Sequence, residues 1–176
     1  MNQKLKLWLR AANPMTPPRG MAEAQRSARV GAAALVIGAV QGLAGLPTMS
    51  DKMEQSAALM MQGGAVPAQD QAMFEGVMTA MTPVMIGGVL VLSAVYLVLA
   101  VVQWRKMTWL IPALMLALLA YSLISVVNGL ALLGEEAGPL YGPLAIAQWI
   151  IMLATGFLYA AAVRGGLMLS RLKRSF

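Results

Sequence analysis

The chain has 176 residues, of which 59% are hydrophobic and only 11% are charged, and its net charge is +6. Soluble domains carry about 25% charged residues, so this composition favours a protein embedded in a membrane. The sequence contains no Cys and no His, which excludes disulfides, Cys/His zinc sites, haem-ligating His and Ser-His-Asp triads. We therefore expect no enzyme, no cofactor and no metal site. The bases flank apolar segments rather than forming a surface stripe, so we expect no nucleic-acid partner.

The first 29 residues form a basic segment with a short amphipathic pattern. Leu5, Trp8 and Leu9 fall on one face of a helix, with basic residues around them, and Pro14 follows. This pattern predicts a helix in the cytoplasmic headgroup layer that ends before the proline. A preceding segment of this length is too long for the basic region of a cleaved signal peptide, so we expect the first apolar segment to be retained.

Four apolar segments are long enough to cross a bilayer, which requires about 20 helical residues. They predict spans at about 30–46, 83–102, 109–133 and 144–163, in a transmembrane domain that covers residues 30–163. The last three spans are joined by short connections, which favours antiparallel neighbours. The predicted fold class is an all-α integral membrane protein, an antiparallel bundle of four transmembrane helices.

Charge alternates between the connections of these spans. All 13 Lys and Arg residues except Lys52 lie before the first span, between the second and third, or after the fourth. All 7 acidic residues except Glu23 lie in the other two connections. Positive residues stay on the cytoplasmic side of a membrane, so both termini are predicted to be cytoplasmic. The chain resembles small four-span bacterial inner-membrane proteins in outline, which implies the bacterial inner (plasma) membrane, and no motif links it to a named family.

The outer loop, residues 47–82, is long and rich in methionine. Its apolar residues recur at helical spacing and predict two short amphipathic helices, 50–62 and 68–81, across the outer face. Eight of the 15 methionines lie between positions 49 and 85. Thioethers are soft ligands for Cu(I), but without His or Cys we favour adaptable contacts with lipid or a partner over a copper site.

Small residues on the first span predict close helix packing. A spacing of four residues places them on one face, where another backbone can approach closely. That neighbour is either a partner or the second span, which offers small residues of its own, and we favour the second span. The residues are Ala34, Gly38 and Gly42 on the first span and Gly87 and Gly88 on the second.

Polar side chains form stripes on the last two spans, and two residues of the earlier spans could join them. Unsatisfied amides and hydroxyls are costly in hydrocarbon, so these side chains should face protein. They would either line a cavity for a small solute or lipid headgroup or form interhelical hydrogen bonds, which we favour. No charged residue lies in any span, which argues against a proton pump or a voltage sensor. The residues are Gln41, Tyr96, Tyr121, Ser125, Asn128, Gln148, Thr155 and Tyr159.

Basic residues beside the spans predict contacts with anionic lipid headgroups, worth about 1 kcal/mol each near the surface. Three of them belong to the basic cytoplasmic tail, residues 164–176. The predicted headgroup contacts are Lys4, Lys6, Arg10, Arg105, Lys106, Arg171, Lys173 and Arg174.

These features together predict a non-enzymatic accessory or scaffold subunit that associates with a membrane-protein partner or with itself. The alternative is a transporter component that binds a small solute or lipid in a polar cavity between the third and fourth spans. A membrane enzyme would require carboxylates such as Asp51, Asp70 and Glu75 to converge on a substrate or metal, which the sequence gives no reason to expect.

Overall fold

The computed structural model describes residues 3–62, 67–133 and 143–174, and these residues are helical without strands. Four of the helices, α2, α4, α5 and α6, are long and apolar enough to cross a membrane. The predicted all-helical class and the presence of four such helices are therefore confirmed. The helices are α1 (Gln3–Ala12), α2 (Met21–Gly45), α3 (Met49–Gln62), α4 (Gln71–Lys106), α5 (Leu110–Leu133) and α6 (Pro143–Arg174), with short 3-10 turns at Leu46–Thr48 and Ala68–Asp70.

The helix α2 begins at Met21, well before the apolar segment predicted as the first span. Its first turn contains Glu23, whose carboxylate accepts a hydrogen bond from the backbone N–H of Arg19 at 2.8 Å. This contact satisfies a backbone donor just before the helix. Likewise α6 continues to Arg174, through most of the predicted tail. Apolar composition locates the segment that can lie in lipid, whereas backbone hydrogen bonding continues beyond it.

The helix α4 is one continuous helix of 36 residues, Gln71–Lys106. The prediction of a separate helix over 68–81 is wrong, because α4 continues from Gln71 through Pro83 without a break. A proline removes one backbone hydrogen bond from the helix. Next to it, the Thr82 hydroxyl donates to the carbonyl of Met78, one turn earlier, at 3.1 Å.

The chain divides into two compact units. The first unit, residues 1–37 and 98–176, contains α1, the start of α2, the end of α4, and α5 and α6. Its core includes Ala24, Ala28 and Leu169, with Met168 packed against them. Such small core residues allow helices to approach closely.

The second unit, residues 38–97, contains the end of α2, all of α3 and most of α4. Here Ser93 of α4 is buried, and its hydroxyl donates to the carbonyl of Ala39 on α2 at 3.4 Å. This unit also contains a groove between α3 and α4.

Candidate functional site

Buried polar side chains of the first unit lie where helices meet. The Ser27 hydroxyl donates to the carbonyl of Ala11 at 2.7 Å, and its oxygen also lies 3.2 Å from the carbonyl oxygen of Ala161. One side chain of α2 therefore contacts both α1 and α6. The Arg164 guanidinium donates to the carbonyl of Pro14, just after α1, at 2.6 Å. Hydrogen bonds therefore join the N-terminal segment to the rest of the unit.

A fully buried glutamine forms hydrogen bonds at the C-terminal end of α4. The amide nitrogen of Gln103 donates to the carbonyls of Ala28 at 2.9 Å and Thr108 at 3.0 Å, and its oxygen accepts from the Thr108 hydroxyl at 3.3 Å. Between them, Met107 adopts a left-handed conformation, with φ of 50°, as is common where helices end. Gln103 thus fixes both the turn into α5 and its contact with α2. Sequence reasoning placed it in a connection and missed this role.

Two tryptophans, Trp8 of α1 and Trp104 of α4, pack on each other. The rings of Trp8 and Trp104 are stacked, with centroids 6.4 Å apart and an interplanar angle of 11°. The Arg29 guanidinium lies 5.3 Å from the centre of the Trp104 ring, within the range of a cation–π interaction. These contacts join α1, α2 and the end of α4.

The basic residues predicted to contact lipid headgroups are exposed, with one exception. Arg10 is half-buried, and its guanidinium lies 3.8 Å from the Glu23 carboxylate. A partly exposed pair of this kind contributes about 0–1 kcal/mol. The exposed residues are Lys4, Lys6, Arg105, Lys106, Arg171, Lys173 and Arg174. Their contact with anionic lipid stays a prediction.

The predicted glycine face of α2 packs within the chain, but not against glycines. A Cβ at Gly38 would lie 3.1 Å from the Tyr96 ring, and one at Gly42 would lie 3.0 Å from the Ser93 hydroxyl. Ala34 of the same face is fully buried. By contrast, a Cβ at Gly87 or Gly88 would meet no atom within 4 Å.

Replacing Gly38 with leucine is expected to destabilise the fold by about 1–3 kcal/mol, because the new side chain meets the Tyr96 ring and overpacks the contact. The measurement is thermal unfolding of the purified protein in detergent. The matched control is Gly88→Leu, which enters open space and should leave the unfolding temperature nearly unchanged. Equal losses in both variants would contradict the contact.

The closest helix approaches in the first unit involve glycines that the four-residue spacing did not reveal. A Cβ at Gly165 of α6 would lie 2.6 Å from the backbone nitrogen of Ala28, and one at Gly166 would lie 2.8 Å from the backbone of Trp109. A Cβ at Gly31 would lie 2.8 Å from Ala162. The available signal was the Gly–Gly pair itself, since glycine costs about 1 kcal/mol inside a helix and tends to have a packing reason.

The polar stripes of α5 and α6 do not share one environment. Tyr121, Ser125 and Asn128 lie on one face of α5, and all three are exposed, Tyr121 at 72%. We call these three residues the α5 polar face. Two further predicted cavity residues, Thr155 and Tyr159 of α6, are buried, at 5% and 2% exposure. The Thr155 hydroxyl donates to the Ile151 carbonyl of its own helix at 2.7 Å.

The other three predicted cavity residues are also placed separately. Gln148 of α6 is exposed, whereas Gln41 and Tyr96 are half-buried in the second unit. Of these, Tyr96 lies against Gly38. The eight predicted residues thus differ in burial and are divided between the two units.

A groove with a volume of about 510 Å³ lies between α3 and α4. We call it the α3–α4 groove. Three methionines and two carboxylates line it, together with threonine hydroxyls. The Thr82 hydroxyl lies 3.7 Å from the sulfur of Met53 across the two helices. Its lining includes Met53, Met61, Met78, Glu54, Glu75 and Thr82.

No family model, curated protein or solved structure matches this chain. The function must therefore be inferred from its own residues. In the described ranges, no group of three or more His, Cys, Asp or Glu side chains could hold a metal ion. Glu135 and Glu136, which belong to the acidic connection between the third and fourth predicted spans, lie outside the described residues.

Proposed function

We propose that the protein is a non-enzymatic, multi-pass accessory or scaffold subunit of the bacterial inner membrane, which associates with a membrane-protein partner or a second copy. Both termini face the cytoplasm in this proposal, because the basic residues concentrate beside them. The single observation that carries it is the exposure of the α5 polar face.

The position of this face within α5 makes its exposure important. Tyr121 lies halfway along α5, which spans Leu110–Leu133, and Ser125 lies one turn further. Only 11% of the most apolar stretch of α5 is buried inside the chain. If α5 spans the bilayer, these polar groups lie at hydrocarbon depth, where water cannot satisfy them.

Polar groups at that depth are stabilised by partners on another helix. Each interhelical hydrogen bond in a membrane protein contributes about 0.6 kcal/mol, and hydroxyl and amide groups are the usual donors and acceptors. A neighbouring subunit against α5 would supply them. The absence of charge from the face suits an interface buried in lipid.

The placement of the polar residues supports a scaffold over a carrier. A transporter component with a cavity between α5 and α6 needs the polar side chains of both helices to converge. Instead Tyr121, Asn128 and Gln148 are exposed, whereas Thr155 and Tyr159 are buried. The exposed group suits an external contact, and the buried pair suits packing inside the chain.

The test replaces the polar side chains with apolar ones of similar size. The triple variant Tyr121→Phe, Ser125→Ala and Asn128→Leu loses three potential hydrogen bonds, so association should weaken about twentyfold. The measurement is the mass and composition of the tagged protein purified in mild detergent, by light scattering and mass spectrometry. The wild-type protein should carry a stoichiometric second polypeptide or a second copy, and the triple variant should lose it.

A matched control changes the same helix beside the polar face. Ile124 and Val127 are exposed on α5, and replacing both with leucine keeps the helix apolar. This variant should retain the partner. A wild-type protein that is monomeric and alone, or a triple variant that retains its partner, would contradict the proposal.

A further inference from the structure

The α3–α4 groove is distinct from the α5 polar face and lies in the other compact unit of the chain. Its volume of about 510 Å³ falls within the range of about 300–1,000 Å³ that is typical of small-molecule sites. Its walls come from Ser50 to Met61 on α3 and from Glu75 to Pro83 on α4. The groove is therefore large enough for an organic molecule.

The lining combines soft apolar surface with negative charge. Met53 and Met61 of α3 and Met78 of α4 present thioethers, which are polarizable and adapt to ligands of different shape. Glu54 and Glu75 add one carboxylate from each wall. No basic side chain contributes to the lining among the described residues. This chemistry favours a ligand that is both lipophilic and positively charged.

One contact joins the two walls of the groove. The Thr82 hydroxyl donates to the Met78 carbonyl at 3.1 Å and lies 3.7 Å from the Met53 sulfur. The groove therefore has a side-chain contact between α3 and α4 at Thr82, next to Pro83. Pro83 is also where the apolar segment of α4 begins, so the groove lies where α4 would meet the membrane–water interface.

The same features argue against other ligands. A metal ion needs far less space than this groove provides. In the described ranges, no group of three or more His, Cys, Asp or Glu side chains could hold a metal ion. An anionic ligand would face two carboxylates, and the described lining residues include no base to compensate for them. A neutral lipid chain would contact the methionines but would make no use of the two carboxylates, which are exposed.

We propose that the α3–α4 groove is a binding site for lipophilic organic cations, such as hydrophobic quaternary ammonium or phosphonium compounds. Glu54 and Glu75 balance the charge of the ligand, and Met53, Met61 and Met78 cover its apolar surface. Because the methionines can repack, the site should accept cations of several shapes rather than one. This proposal does not depend on the scaffold role.

The test uses tetraphenylphosphonium as the probe and the full-length protein in detergent. Equilibrium dialysis should show one saturable site per chain, above the uptake of empty micelles. Tetraphenylborate, an anion of the same shape, should show no saturable binding. Replacing both carboxylates, Glu54→Gln with Glu75→Gln, should weaken phosphonium binding by about a hundredfold if each charge contributes a factor of about ten, which corresponds to about 1.4 kcal/mol.

The matched control removes two acids from the same part of the chain that do not line the groove. The double variant Asp51→Asn with Asp70→Asn removes the same amount of negative charge as the glutamate variant. It should leave phosphonium binding within about twofold of the wild-type value. Size-exclusion profiles and far-UV circular dichroism establish that each variant is folded. Equal losses in the two double variants would show a general surface-charge effect and overturn the site.

A silver titration separates this proposal from a thioether metal site. Ag⁺ is a soft ion that thioethers bind. Saturable Ag⁺ binding that is lost in the Met53→Leu, Met61→Leu, Met78→Leu variant, with no saturable phosphonium binding to the wild-type protein, would overturn the proposal. Phosphonium binding that survives the methionine replacement with less than about threefold loss, but falls in the glutamate variant, would support charge balance as its main determinant.

Discussion

Replacing Gly165 with alanine is expected to lower the unfolding temperature of the detergent-solubilised protein more than alanine at any other helical glycine described here. The added Cβ would lie 2.6 Å from the backbone nitrogen of Ala28, 2.7 Å from Ser27 Cβ and 2.8 Å from the carbonyl oxygen of Ala24. Two of these atoms belong to the backbone of α2, so the helices must separate to accommodate one methyl group. Overpacking of this kind costs about 1–3 kcal/mol.

Two other glycines provide graded controls for this experiment. Alanine at Gly88 meets nothing within 4 Å, so it should leave stability unchanged or raise it by up to about 1 kcal/mol through helix propensity. Alanine at Gly156 would lie 3.5 Å from Leu119, an ordinary contact, and should fall between the two. The measurement is thermal unfolding followed by tryptophan fluorescence. If Gly165→Ala unfolds at the same temperature as Gly88→Ala, α2 and α6 do not approach as closely as described.

The number and approximate location of the long helices could be predicted from the sequence because lipid exposure depends on local composition. A run of about 20 apolar residues is a property of the segment itself. The ends of the helices were less predictable. Helix α2 already contains Glu23, α6 continues to Arg174, and Pro83 lies inside α4, because apolar composition marks only the part of a helix that can lie in lipid.

The close contacts were predicted only in part, since they depend on residues distant in sequence. The spacing of Gly38 and Gly42 indicated the packing face of α2, but the neighbours are Tyr96 and Ser93 instead of other glycines. Gly165 fell outside the predicted spans because it lies next to Arg164. A rule based on spacing detects small residues that repeat along a helix face. Two helices that cross at a single point need only one small residue there.

The surroundings of the polar residues could also be predicted only in part from the sequence. Helical spacing places Tyr121, Ser125 and Asn128 on one face of α5 in any arrangement of the helices. It does not determine whether that face points into the chain or away from it. Here it is exposed, which changes the favoured inference from interhelical hydrogen bonds within the chain to an external contact.

Replacing Gln103 with leucine is expected to destabilise the first unit by about 1–3 kcal/mol, although leucine fits the volume and suits a buried position. Gln103 is fully buried, and its amide donates to the carbonyls of Ala28 and Thr108. Leucine leaves the Thr108 carbonyl and hydroxyl without these bonds at the turn that leads into α5. The measurement is thermal unfolding in detergent, monitored by the fluorescence of the nearby tryptophans.

A second substitution at the same position separates hydrogen bonding from packing. Gln103→Glu keeps the shape but replaces the two N–H donors with a carboxylate oxygen facing two carbonyls, so it should destabilise at least as much as leucine. Gln148→Leu, at an exposed position of α6, controls for the general effect of a more apolar side chain and should not destabilise. If leucine at position 103 were neutral and only glutamate were harmful, the amide would act as a space-filling group. The hydrogen bonds from the end of α4 to α2 would then contribute little to holding these helices together.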